Sequence, residues 1–263
     1  MIETNKIYNA DCIEFMGDMS KENLKVDLVL TSPPYNTSRV TGTLENYEKR
    51  YDCYQEDKSN ADYDEWTLNV FKGFDSILKE NGCVIYNISY GNENPSQMFT
   101  CINKILVGSN FTIADVIGWK KHSAIPNNVS HNKLTRIFEF VFVLCRKSEY
   151  STFYCNKKML NKSITGQKIY ENIYNIIDAR NNDESTSLNK ATFSTEFVCK
   201  LLNIYGRENG LVFDPFMGTG TTAIACKKYG LSYLGTELSK EQCEHANSRL
   251  SGTSSPLFKH KFN

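Results

Sequence analysis

Ser32-Pro33-Pro34-Tyr35 closes the apolar run Val26-Asp27-Leu28-Val29-Leu30-Thr31 and sets an oxygen side chain, a stiffened backbone carbonyl and an aromatic face in four consecutive residues. That combination suits a planar amino group, whose N–H bonds the oxygens accept while the ring covers its face. A second constellation, Asp214-Pro215-Phe216-Met217-Gly218-Thr219-Gly220-Thr221-Thr222, stands between a β-rich run and a helical one. Gly218 and Gly220 permit a tight turn that brings the first amides of the next helix against a ligand. Downstream, Glu237 ends the next expected strand, where such folds place an acid on ribose hydroxyls. No Gly-Lys-Ser/Thr follows the glycines, and Ala223 replaces the last glycine of the dinucleotide fingerprint. The pattern is therefore neither a Walker loop nor a dinucleotide site, yet a nucleotide-like ligand fits it.

The elements that must position these residues are legible from periodicity. Strand, helix, strand are expected at Lys6 to Asn9, Cys12 to Met19 and Val26 to Leu30, with the proline pair ending the last. Residues 37–64 are polar and carry four tyrosines, which predicts a long mobile loop. A helix follows from Trp66 to Lys79, stopped by Asn81-Gly82 before a strand from Cys83 to Ile88. Then come a helix from Ser96 to Val107, a strand from Phe111 to Trp119, a polar stretch from Lys120 to Thr135 and a buried strand from Phe138 to Leu144. Residues 148–190 lack periodicity and read as a small recognition insertion. Beyond them alternate a helix (Thr195 to Tyr205), a strand (Leu211 to Phe213), a helix (Thr221 to Tyr229), a strand (Ser232 to Gly235) and a helix capped by Ser239. Alternating strands and helices imply an α/β fold, a mostly parallel sheet with helices on both faces. One domain over 1–253 is expected, with a frayed tail at 254–263.

The chain has 263 residues, with 30 Lys plus Arg balanced by 30 Asp plus Glu, so nucleic acid would be held by local patches rather than a global field. Nine cysteines stand singly without a Cys-x-x-Cys pair, which fits reduced thiols and no metal site. The N-terminus lacks signal-peptide character and no run approaches the ~20 apolar residues of a membrane span, so a cytoplasmic, membrane-free protein is expected.

On these two motifs the chain resembles the DNA amino-methyltransferases, Ser32–Tyr35 matching their catalytic motif and Asp214–Gly220 their cofactor motif. The catalytic motif comes first, the order of the β class. The resemblance implies a Rossmann-like fold, S-adenosyl-L-methionine as cofactor and double-stranded DNA as partner. Homodimerisation and a cognate restriction endonuclease are further family expectations. It also implies that Asn9-Ala10-Asp11-Cys12 contacts adenine, with Asp11 accepting from the exocyclic amine, although Asp11 alone reads as a helix N-cap. Glu237 would hold the ribose and Phe216 the methionine side. Thr221 or Thr222 would cap the helix and meet the carboxylate.

The implied chemistry is direct transfer. Ser32 Oγ and the Pro33 carbonyl accept the amine protons, Tyr35 stacks on a base flipped from the duplex, and no covalent intermediate forms. Cytosine C5 methylation needs a thiolate, usually in a Pro-Cys pair, and the chain has none. Ser at position 32 leans to cytosine N4, whereas Asn36 is common in adenine N6 enzymes, the main alternative. An inactive DNA-binding module is a rival from another class. RNA or protein amide methyltransferases typically carry Asn-Pro-Pro-Tyr instead. DNA contacts are expected from Arg39, Lys49, Arg50, Lys120, Lys121, Lys133 and Arg136, beside tyrosines and near a region flanking the flipped base. Glu139 interrupts the apolar strand and reads as an edge-facing or paired carboxylate ahead of a catalytic role. His122 and His131 read as solvated loop residues.

Overall fold

The computed structural model describes residues 1–36, 58–91, 94–122, 126–182 and 193–252. Its centre is an eight-stranded sheet in the order β1-β10-β9-β2-β3-β5-β4-β8, followed outward from one edge. The strands are β1 (Lys6–Asn9), β2 (Val26–Thr31), β3 (Leu78–Ile88), β4 (Phe111–Lys121), β5 (Phe138–Arg146), β8 (Ile176–Ala179), β9 (Leu211–Asp214) and β10 (Ser232–Glu237). A separate hairpin pairs β6 (Met159–Lys162) with β7 (Lys168–Tyr170). All neighbours in the large sheet are parallel except β5, which runs antiparallel to both β3 and β4.

Alternation along β2 shows how the sheet divides the core. Leu28 and Leu30 face the helices α4 (Thr195–Tyr205), α5 (Thr221–Tyr229) and α6 (Lys240–Ser251). Val29 faces α1 (Cys12–Lys21), α2 (Asn60–Ile77) and α3 (Gln97–Gly108). Every residue of β2 is buried, as a strand covered on both faces requires. The chain leaves β2 toward β3 on one side, while β9 and β10 lie on the other. A crevice at such a switch point, beyond the strand C-termini, is where open α/β sheets bind ligands.

Several expectations change. Helix α2 starts at Asn60, inside the stretch expected to be loop, because Ser59 caps it by accepting from the Asp62 amide and Tyr63 buries itself completely. Arg39, Lys49 and Arg50 lie outside the described residues. Asn81-Gly82 does not stop that helix: α2 ends at Ile77, and Asn81, at φ 58°, sits within β3 where its register to β2 shifts between Leu78 and Cys83. The segment 148–190 contains the β6–β7 hairpin and also β8, an edge strand whose Ile177 and Ala179 enter the core. Strand β4 extends to Lys121, so Lys120 and Lys121 belong to the sheet. No helix among the described residues is long and apolar enough to cross a membrane, and no acidic, His or Cys group among them could hold a metal.

Candidate active site

Two parallel strands end side by side at the switch point. β2 delivers Thr31 and then Ser32; β9 delivers Asp214. The two are tied together, Thr31 Oγ1 donating to Asp214 Oδ1 at 2.6 Å. Thr222 Oγ1 donates to the other oxygen at 2.5 Å and the Phe216 amide donates to Oδ1 at 3.0 Å. Asp214 is therefore a buried brace between the two strand ends. Burial pushes its carboxyl up to about 6, against the opposing pull of the Thr222, Thr31 and Phe216 hydrogen bonds. Thr222 spends its hydroxyl on this brace and does not cap α5; the cap is Gly220, without a side-chain bond.

The cofactor side is shaped mainly by backbone. Gly218 and Gly220 adopt φ of 53° and 87°, left-handed values that a side chain disfavours, and a Cβ on Gly220 would lie 3.0 Å from that of Ala246. Glu237 organises this turn: Oε2 accepts from the Gly218 amide at 2.7 Å and Oε1 from the Ser239 amide at 2.9 Å. A carboxylate offers roughly four acceptor positions and is the kind of group that receives hydroxyls. Asp11 ends the neighbouring β1 segment, which Asn9 ties to β10 by donating to the Glu237 and Leu238 carbonyls. Asp11 Oδ1 caps α1 through the Ile13 and Glu14 amides, so the N-cap reading holds. The Cys12 thiol is buried in the core, where burial pushes it up to about 12, with Asp11 adding to the effect. Two carboxylates at adjacent strand ends, a left-handed glycine turn and the half-buried ring of Phe216 form a set that fits S-adenosylmethionine: acceptors for ribose hydroxyls and an exocyclic amine, and an apolar wall.

The amine side is built from side chains of distant segments. Tyr63 Oη donates to the Pro34 carbonyl at 2.7 Å, and the buried Asn36, at φ 53°, grips the Lys58 backbone and Gln97. These bonds fix the direction of the motif's backbone as it leaves the sheet. Sequence reasoning missed Tyr63 because its polar neighbours obscured the helix. Trp66 bridges Tyr63 to Phe216 with ring centroids 5.5 Å apart on each side, joining the walls of the two motifs. Ser32 Oγ donates to Tyr35 Oη at 3.2 Å, and Tyr35 Oη donates to Glu139 Oε2 at 3.2 Å. Lys121 Nζ lies 2.5 Å from Glu139 Oε1, giving Glu139 the expected partner.

The remaining expected DNA contacts are scattered. Lys120 pairs with Asp178 at 2.8 Å, beside His122, whose Nε2 is 2.6 Å from the same carboxylate. Arg136 lies over the Tyr90 ring, 5.0 Å from its centroid, and donates to the Tyr90 carbonyl. Lys133 and His131 are exposed. Lys121 points into the site, toward Glu139 and over the Trp119 ring at 4.9 Å.

Residues 26–248 match the DNA methylase family of N6 and N4 methyltransferases. An orphan methyltransferase of Bacillus amyloliquefaciens, M.BamHII, is 26% identical over 88% of this chain and 91% of its own. The M1.HpyAVI–SAM complex superposes with a TM-score of 0.65 at 25% identity, over 93% of this chain and 98% of the other. The cytosine-N4-specific PvuII DNA methyltransferase does so at 0.68 and 16% identity, over 92% and 85%. With the Ser32–Tyr35 motif preceding the glycine turn and the two braced together at adjacent strand ends, the chain belongs to the DNA methylase family as a β-class amino-methyltransferase.

Proposed function

We propose that this protein methylates the N4 amine of a cytosine flipped out of duplex DNA, at a specific site, using S-adenosyl-L-methionine. The Thr31–Asp214 hydrogen bond carries the reading, because it ties the strand end that leads into Ser32 to the neighbouring strand end that leads into the glycine turn. When bound, the cofactor supplies an electrophilic methyl group on a sulfonium. Glu237, Asp11, Phe216 and the Gly218–Gly220 turn are the residues proposed to hold it, with Thr221 at the first turn of α5.

An exocyclic amine is a weak nucleophile because its lone pair is delocalised into the base. Ser32 Oγ and the Pro33 carbonyl each accept one of its N–H bonds, so the nitrogen becomes more pyramidal and its lone pair is freed. Tyr35 stacks on the extruded base and offsets part of an unstacking cost of roughly a few kcal/mol. Cytosine is favoured by Ser32. Asn36, the residue that leaned toward adenine, has a structural reason to be present, as the buried clamp on Lys58 and Gln97. For site reading, the β6–β7 hairpin presents Lys158, Lys162 and Lys168 with an exposed Tyr170, a basic and aromatic ribbon suited to a DNA groove.

The test is to treat mixed-sequence duplex DNA with the protein and cofactor, digest it to nucleosides and identify the product by mass. N4-methylcytosine is expected. N6-methyladenine would overturn the base assignment, and DNA binding with no methylated nucleoside would overturn the enzymatic reading.

A further inference from the structure

Glu139 is the only acid in β5, flanked by Phe138 and Phe140, and its side chain is 19% exposed. A carboxylate in such a place is costly unless its oxygens are used. Here both are: Oε1 by Lys121, and Oε2 by Tyr35 Oη at 3.2 Å and Asn87 Nδ2 at 3.4 Å. The chain of hydroxyls continues from Tyr35 to Ser32.

We propose that Glu139 is a positioning residue for methyl transfer, setting the direction of the Ser32–Tyr35 hydroxyl pair and receiving the proton that the methylated amine sheds. A hydroxyl can donate or accept, whereas a carboxylate only accepts. With Glu139 at the end of the chain, Tyr35 donates to it, Ser32 donates to Tyr35, and the lone pairs of Ser32 are left for the amine. The O–H···O separations of 3.2 Å are long, as such bonds often are before substrate tightens them.

The proton balance closes along the same path. As the N–C bond forms and the donor S–C bond breaks, positive charge passes from sulfur to the amine nitrogen. That nitrogen loses one proton to Ser32 Oγ, Ser32 passes its own to Tyr35 Oη, and Tyr35 passes its own to Glu139 Oε2. Both hydroxyls are restored and the carboxylate becomes a carboxylic acid.

This rests on Ser32 as the amine acceptor, so the experiment includes Ser32→Ala. Single-turnover methyl transfer is measured on a duplex oligonucleotide carrying the site found by sequencing methylated DNA. Cofactor affinity is read by titration calorimetry and base flipping by 2-aminopurine fluorescence. Glu139→Gln, whose amide can donate back to Tyr35, is expected to slow transfer about a hundredfold while affinity and flipping stay within about twofold. Tyr35→Phe, which keeps the ring and removes one oxygen, should lose a similar factor. The double variant should be no slower than the worse single one, since the groups act in series. Near-normal transfer by either single variant, losses that multiply, or a Glu139→Gln defect confined to binding would overturn the proposal. If Ser32→Ala is inactive while Glu139→Gln is normal, only the role of Glu139 falls; if Ser32→Ala is fully active, the amine-acceptor reading falls with it.

Discussion

The β9–β10 end of the crevice and the β2–β5 end solve the same problem with different materials. On the first, left-handed glycines and backbone amides organised by Glu237 shape the site, and the principal residues lie within a 24-residue stretch from Asp214 to Glu237. On the second, the Ser32–Tyr35 pair, Asn87, Lys121 and Glu139 come from four separate segments that meet through sheet register. A backbone-built site is intolerant of added Cβ atoms; a side-chain-built site is intolerant of lost oxygens. Thr31 and Asp214 join the two.

The sharpest test of that contrast pairs Ser32→Ala with Gly218→Val. Removing the Ser32 oxygen should lower methyl transfer about 10²–10³-fold and leave cofactor affinity unchanged by calorimetry. A β-branched residue at the φ of 53° held by Gly218 should instead weaken cofactor binding about a hundredfold or more. If both variants lost binding equally, the two ends would not be separable.

The joint itself comes next. Asp214→Ala strands two buried hydroxyls and an amide, and should destabilise the fold by about 3 kcal/mol in denaturant titration. The pH dependence has a definite sign. The carboxyl is raised from 3.8 to about 6, so the folded state binds more protons than the unfolded one between those values. The Asp214 contribution to stability is full below 3.8, is lost as pH rises through about 6, and is constant above. The melting temperature of Asp214→Ala should lack that component, and an unchanged acid-side slope would refute it.

Smallest is Tyr63→Phe, which frees the Pro34 carbonyl at a cost of about 1 kcal/mol. Its effect should appear in turnover and leave cofactor affinity alone; a variant impaired in cofactor binding would show that the amine-side wall also shapes the other end.

Which parts were legible follows from the same contrast. The glycine turn, Glu237 and Ser32–Tyr35 are short contiguous patterns bounded by strongly periodic elements, and the structure places them at adjacent strand ends. Asp11 reads from sequence as a cap and is one. Asp214 opens its motif in the sequence, but its bracing role is not legible there, because its hydroxyl partner Thr31 is 183 residues away. Tyr63 was hidden in polar sequence, and β8 was hidden because four residues carry too little alternation to stand out from an irregular segment.

By itself, the sequence determined the α/β alternation, the two motifs and their order, because apolar periodicity and turn chemistry are local properties. Only the tertiary structure decided that Glu139 terminates the Ser32–Tyr35 hydroxyl chain, that Asn36 is a clamp and that Asp214 is a brace. Those roles depend on which strands lie side by side and on which buried polar groups must find partners, and both are settled when the sheet assembles.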